Sequence, residues 1–276
     1  MVMPLIRRQL VLSPVAFVVA SAAARAQVPV NRGSLRETEA AQSLAPSGVL
    51  RVAINLGNGV LAQRNAQGEL TGISVILARA LAERLKLPID LIPFEAAGAV
   101  FDGLDKGLLD LAFLAIEPER AAKIDFSPPH VIIEGTYLVR TGAPFRTVSD
   151  LDQPGVRIAV GRGAAYDLFL TRTLKRAELR RAPTGAASID LFLSDGLEAA
   201  AGVRQALVER ARANPGLRVL DDRFTNIQQA IGMPRGRPAG VAYVKAFIEE
   251  MKASGEVRKA LDATGQASAV VAPPVK

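Results

Sequence analysis

The sequence predicts an α/β protein in which a β-α-β-α-β block occurs twice. Three observations carry this. Short apolar runs of strand length, such as 111–115 (LAFLA) and 156–160 (VRIAV), alternate with longer stretches whose apolar residues recur at the helical period. Strands separated by helical stretches are expected to be parallel and joined by crossovers. Glycine-bearing turns, 55–59 (NLGNG) and 161–166 (GRGAAY), directly follow strands, and open α/β sheets bind ligands beyond the carboxyl ends of their strands.

The bulk numbers narrow the function classes. Of 276 residues, 49% are hydrophobic and 22% charged, the balance of a soluble globular chain with one large or two ordinary domains. There is no cysteine, which excludes disulfides, thiolate nucleophiles, cysteine zinc sites and a cysteine-linked lipid anchor. A single histidine, His130, excludes metal sites built on several imidazoles. No metal and no cofactor is expected. The formal net charge is +7, and Arg7, Arg8 and Arg25 supply three of those charges in a segment without acidic residues. Elsewhere Lys and Arg have acidic neighbours and no basic block is interleaved with aromatics, so nucleic acid is not an expected partner.

Residues 1–26 have the layout of a cleaved secretory signal. Arg7 and Arg8 form a charged start, 9–23 is an apolar run, and Ala24-Arg25-Ala26 is a small-x-small cleavage site. The run is shorter than the roughly 20 residues a bilayer span needs. Export to a bacterial periplasm follows, by the general or the twin-arginine route. Residues 27–47 are polar and without a sustained period, and read as a linker.

Residues 49–54 (VLRVAI) are the first strand, and 55–59 the loop at its end. Gln67-Gly68 marks a turn. Ile73, Ile76, Leu77, Ala80, Leu81 and Leu85 form one apolar face of a helix over 73–85. Residues 89–94 are a second strand, 98–108 a second helix and 111–115 a third strand. Pro118 turns the chain and places Arg120 one step beyond that strand. A guanidinium there offers a planar fork of donors for a carboxylate or phosphate.

Residues 131–140 are a long extended segment and 149–154 a capped turn. The second block then runs through strand 156–160, helix 164–176, weak strand 179–182, helix 186–194, strand 197–201, helix 202–213 and strand 217–220. Residues 227–233 are extended. Residues 238–254 are an amphipathic helix carrying Val241, Val244, Phe247, Ile248 and Met251, and a last helix ends near Gly265. The tail, 266–276, is Ala-, Val- and Pro-rich and expected to be loose.

Two motifs have competing readings. Gly161-x-Gly163 between a strand and a helix is compatible with a dinucleotide fingerprint, but Tyr166 stands where the third glycine belongs. A tight turn, or a helix N-terminus whose free N–H groups hold an anion, fits better. Asp125, Ser127 and His130 are too close along an extended loop to build a nucleophile, base and orienting acid.

The run from Asp110 through Pro118-Glu119-Arg120 to Ile124-Asp125-Phe126-Ser127-x-Pro129 resembles bacterial extracellular solute-binding proteins of family 3, the polar amino-acid-binding components of ABC importers. Gly72 with 73–85, Leu104-x-x-Gly107-x-x-Asp110, 150–163, and Met251-Lys252-x-Ser254-Gly255 continue the resemblance in the same order. It implies a two-lobed, periplasmic-binding-protein-like type II fold. Each lobe is a mostly parallel sheet flanked by helices, and two hinge strands join them. Lobe one would take 48–139 and 225–265, and lobe two 140–224. A small carboxylate-bearing solute, an amino acid or related organic acid, would bind in the cleft and be passed to an ABC permease by a monomeric protein that is not an enzyme.

The resemblance also implies a site. Arg120 would hold the carboxylate, helped by the backbone N–H groups of Ala164 and Ala165 and by Asn55 or Asn58, with Ala115 and Gly163 beside them. Several positions depart from the pattern: Ala115 and Ala164-Ala165 replace hydroxyl residues, no aromatic follows the first strand, and Gly202-Val203 stand where an aspartate usually grips the amino group. Some proteins resembling this family are cyclohexadienyl dehydratases, for which Glu117 or Glu134 would be the general acid. A ligand-sensing module without transport is the third reading.

Overall fold

The computed structural model describes residues 32–275. The 1–26 signal segment lies outside them. The chain opens on helix α1 (Arg32–Leu44) and strand β1 (Leu50–Asn55), followed by the small hairpin β2 (Gln63–Arg64) and β3 (Leu70–Thr71). Next come α2 (Ile73–Arg84), β4 (Ile89–Phe94), α3 (Ala97–Asp105), β5 (Leu111–Ala115), the single turn α4 (Pro118–Ala121) and β6 (Ile124–Phe126). The long strand β7 (Val131–Arg140) leads to β8 (Arg157–Gly161), α5 (Ala165–Thr173), β9 (Glu178–Ala182), α6 (Gly185–Ser194), β10 (Ala199–Val203), α7 (Arg204–Ala213) and β11 (Leu217–Val219). A second long strand, β12 (Thr225–Pro234), returns the chain to α8 (Pro238–Ala253), α9 (Glu256–Ala263) and β13 (Val270–Val271). No helix among the described residues is long and apolar enough to cross a membrane.

The strand order is β4-β1-β5-β12-β7-β10-β8-β9. β4, β1 and β5 are parallel, as are β10, β8 and β9, while β12 and β7 are antiparallel to their neighbours and to each other. The two ten-residue strands are therefore the two crossings between two repeats of one parallel unit.

Period two along each strand sends alternate side chains to opposite layers. Leu50, Val52 and Ile54 of β1 pack with Leu77 of α2 and Phe247 and Ile248 of α8, whereas Ala53 faces Val100 and Leu104 of α3. In the second unit Ile158 and Val160 pack with Leu170 of α5, and Ala159 faces Phe192 of α6 and Leu207 of α7. Helices cover both faces of each sheet half, as buried parallel strands require.

One ion pair repeats with the units. Arg51 on β1 donates Nε and Nη2 to Asp110 at 2.9 Å each and its backbone N at 3.0 Å, and its Nη2 also reaches Gly107 O. Arg157 on β8 does the same with Glu198, at 2.7 to 3.0 Å, and with Gly196 O. In both units the first strand is tied to the acid that immediately precedes the third.

Three expectations are corrected. The 27–47 linker contains α1, whose Ala40 and Leu44 are buried. It docks on α8 where Gly240 leaves room, since a Cβ there would meet Leu44 at 2.6 Å, and Arg237 Nη1 caps the Leu44 carbonyl at 2.6 Å. Apolar residues spaced four apart among polar ones make a narrow stripe that a search for a sustained period misses. The tail expected to be loose is held over 266–275: β13 pairs with Ile132 and Val131 of β7, Ala269 and Ala272 are buried, and Lys252 Nζ holds Pro273 O at 2.9 Å. On α2 the buried face takes in Val75, Ala78 and Ala82, while Ile76 is 37% exposed.

Candidate functional site

Arg120 is placed by two neighbouring constraints. β5 ends at Ala115, and Pro118 starts a single helical turn where its missing N–H costs nothing. The turn carries Arg120 back over the strand end. Its Nη1 donates to Ala115 O at 3.0 Å, and its Nη2 crosses to Gly163 O, in the loop after β8, at 2.8 Å. The side chain is 1% exposed. No carboxylate among the described residues pairs with it, although Glu117 and Glu119 lie on the same turn. Burial pulls its pKa down to about 10, opposed by the fields of those two acids. A guanidinium taken out of water without an anionic partner costs several kcal/mol. An arriving carboxylate would remove much of that cost through a bidentate contact.

Arg120 lines a narrow cavity of about 40 Å³ between the two units. Of the residues expected around it, Ala115, Asn55, Asn58, Ala164 and Ala165 line the same cavity, and Gly163 contributes through its carbonyl. Their roles differ from expectation in one respect. Ala164 N–H is already given to Gly161 O at 3.1 Å, so of the two loop amides only that of Ala165, first in α5, lacks an intrahelical acceptor. Asn55 Oδ1 accepts from Gly57 N and Asn58 Oδ1 from Val60 N, which leaves their NH₂ groups as the available ends.

The Gly161–Gly163 loop is built for close approach. Gly163 has φ +68°, and a Cβ on it would come within 3.0 Å of Gly98 Cα at the start of α3. Asp167 holds the loop by accepting from Gly163 N at 2.8 Å, and Arg181 fixes Asp167 at 2.9 Å. Tyr166 lies against Gly161, Gly185 and Ser188, with its hydroxyl pushed up to about 12 by burial.

The sequence reading missed several wall residues. Gln229 is 3% exposed, lines the cavity, and its side-chain amide has no partner among the described residues. It stands on β12 on the face set by Ile227 and Ile231, and a polar residue breaking that alternation is the signal that could have found it. Tyr166, Thr184 and Glu95 also line the wall, as does Val203, which the sequence reading already places where an aspartate is usual. A larger compartment of about 850 Å³ shares Gly57, Asn58, Glu95, Tyr166, Gly185 and Val203 with the small one and continues toward α7.

Other singled-out residues lie elsewhere. His130 is fully buried, edge-on to Phe113 with centroids 5.7 Å apart, and does not line the cavity. Ser127 Oγ accepts from Ile231 N and donates to Pro128 O, so the Asp125, Ser127 and His130 trio forms no relay. Glu117 pairs with Arg172 at 2.6 Å, and Glu134 pairs with Arg204 and Arg223; neither lines the cavity.

Comparison with known proteins agrees with this geometry. The chain is 26% identical over 229 residues to cyclohexadienyl dehydratase of Pseudomonas aeruginosa, a match covering 78% of this chain and 82% of that protein. It is 28% identical over 203 residues to the L-cystine-binding protein TcyJ of Escherichia coli, covering 69% and 73%. The fold matches the amino acid ABC transporter substrate-binding protein AbpA of Streptococcus pneumoniae bound to L-arginine, with a TM-score of 0.71 and 23% identity over 82% of this chain and 98% of that one. The two-lobed periplasmic-binding architecture is thus that of this protein. The family model for bacterial extracellular solute-binding proteins, family 3, matches residues 50–264, and the chain belongs to that family.

Proposed function

We propose that the protein is the solute-binding component of an ABC importer and that it captures a small carboxylate-bearing solute, an amino acid or related organic acid, between its lobes. The observation that carries this is Arg120: a buried guanidinium without an anionic partner, in the wall of a cavity at the carboxyl ends of two sets of parallel strands. Lobe one is proposed to comprise 48–139 and 225–265, joined by α1 and β13, and lobe two 140–224. β7 and β12 would act as the hinge, so that closure is a rigid-body rotation around the solute. Arg120 would take the carboxylate, with Ala165 N–H and the amides of Asn55 and Asn58 as further donors.

The partner is an inner-membrane ABC permease, and the protein acts as a periplasmic monomer after removal of 1–26. A thermal-shift screen of the purified protein against amino acids, dicarboxylates and aromatic acids tests the reading. Carboxylates should raise the melting temperature, and uncharged amides of the same acids should not.

The relationship to cyclohexadienyl dehydratase favours one further reading, an enzyme on the same fold. Its candidate acids, Glu117 and Glu134, are both engaged by arginines away from the cavity. We therefore favour binding without catalysis; release of phenylpyruvate from prephenate would reverse that choice.

A further inference from the structure

The charge inventory of the cleft narrows the solute class within the reading just proposed, on which this inference rests. Among the described residues Arg120 is the only ionised side chain buried in the cavity wall; Arg162 and Glu95, which also line it, are exposed. Three helices start at the wall, α3 at Ala97, α5 at Ala165 and α6 at Gly185, and each adds the partial positive charge of its unpaired N–H groups. The amide oxygens of Asn55 and Asn58 each accept one backbone N–H, which turns their NH₂ groups, the unpaired ends, into available donors. The carbonyls of Ala115 and Gly163 already accept from Arg120. What remains for a buried cation is a set of neutral acceptors, the Gln229 amide and the hydroxyls of Tyr166 and Thr184 among them, and among the described residues no buried carboxylate lines the cavity. Val203, at the end of β10, lines both compartments where a carboxylate could have stood.

We infer that the solute is an organic anion without an ammonium group, a 2-oxo or unsubstituted carboxylic acid whose carboxylate sits on Arg120 and whose body extends into the larger compartment. A zwitterionic amino acid would bring its ammonium within a few ångströms of a buried guanidinium and three helix N-termini, with no buried carboxylate to offset the repulsion. The acids in reach are Glu95 and, in the larger compartment, Glu209, and as exposed groups they contribute little to an ion pair. A 2-oxo group, in contrast, is an acceptor and matches the donors that line the wall, Gln229 included.

The test is calorimetric titration of the purified protein with matched pairs: pyruvate and alanine, 2-oxoglutarate and glutamate, 4-methyl-2-oxopentanoate and leucine, phenylpyruvate and phenylalanine. The oxo member of the best pair should bind at least tenfold tighter than its amino partner. Val203→Asp should narrow or invert that ratio, and Arg120→Ala should abolish binding of both. Tighter binding of the amino member, lost in Arg120→Ala, overturns the inference and leaves the carboxylate reading standing. Loss of amino-acid binding in Glu95→Gln also overturns it, because the exposed acid would then be the ammonium partner. Binding indifferent to Arg120→Ala, or no binding by any pair, counts against both.

Discussion

Arg172 of α5 places Nη2 2.6 Å from Glu117 Oε2, while its Nη1 lies 2.8 Å from both oxygens of Glu119. The two acids flank Pro118 on the turn that carries Arg120, so one arginine of the proposed second lobe grips the anchoring turn of the first. Arg120 makes a parallel crossing of its own, to Gly163 O. Glu117 is buried, and burial holds its carboxyl above the usual range even with Arg172 against it. The exposed Arg172–Glu119 pair contributes about 0.2–1 kcal/mol, and the contact to the buried Glu117 adds to it, which biases the proposed hinge toward closure. Arg172→Ala should enlarge the radius of gyration of the ligand-free protein in small-angle scattering and weaken solute binding by about three- to tenfold through a smaller closed population. Unchanged scattering and affinity would remove the latch from the account.

Gly163 meets two demands at once. Its φ of +68° suits glycine, and the space beside it is closed by Gly98 of the other unit at 3.0 Å. Gly163→Ala should cost about 1–2 kcal/mol through the left-handed conformation. It should also slow or weaken solute-induced closure, because the added methyl would meet Gly98 at the start of α3. A variant with wild-type affinity and a stability change under about 0.5 kcal/mol would contradict this.

His130 makes stability depend on pH. Burial, followed by the field of Lys252, lowers its pKa to about 3, and neither ring nitrogen has a partner among the described residues. Below pH ~6.5 the unfolded chain takes up a proton that the folded protein refuses, so stability falls as pH drops, by about 1.4 kcal/mol per unit. Above that value the group contributes nothing to the slope. Urea titrations between pH 7 and 5 should show the loss in the wild type and a flatter profile in His130→Phe. Parallel profiles would place the acid sensitivity elsewhere.

Asp110 is fully buried and held by Arg51 at 2.9 Å and Arg237 at 3.0 Å. Burial alone would raise its pKa, yet the hydrogen bonds from the two arginines outweigh that and keep it below the usual carboxylate range. Asp110→Ala strands two guanidinium groups and should cost about 3–5 kcal/mol in chemical denaturation. The matching Glu198→Ala should cost less, since the Glu198 side chain is 28% exposed and has one arginine partner. Equal costs would show that the two units do not differ in the way their burial indicates.

Much of this architecture was legible because strand and helix periods are local. The strands at 89–94, 111–115 and 131–140 are where the apolar runs put them, and the two long strands cross between the two repeats of the parallel unit. Arg120 stood out by its place one turn past a strand end, but that place alone also suits a surface ion pair, and the family resemblance is what put it in a cleft. α1 and β13 were not, since their burial depends on partners distant in sequence, Gly240 and Val131 among them. Gln229, Tyr166 and Thr184 were missed for a related reason. Each becomes part of the cavity only when the two units face each other, and no local pattern encodes that meeting. Ala164 was expected to donate its amide, but the tight turn after β8 uses that N–H internally.

The most direct test of the central claim is the solute-induced shift in melting temperature of Arg120→Ala, with Arg120→Lys beside it. Any carboxylate that raises the melting temperature of the wild-type protein should leave Arg120→Ala unshifted. It should shift Arg120→Lys only partly, because an ammonium keeps the charge but loses the planar fork. An equal shift in wild type and Arg120→Ala, with both proteins folded, would contradict the account by removing the buried guanidinium from the site.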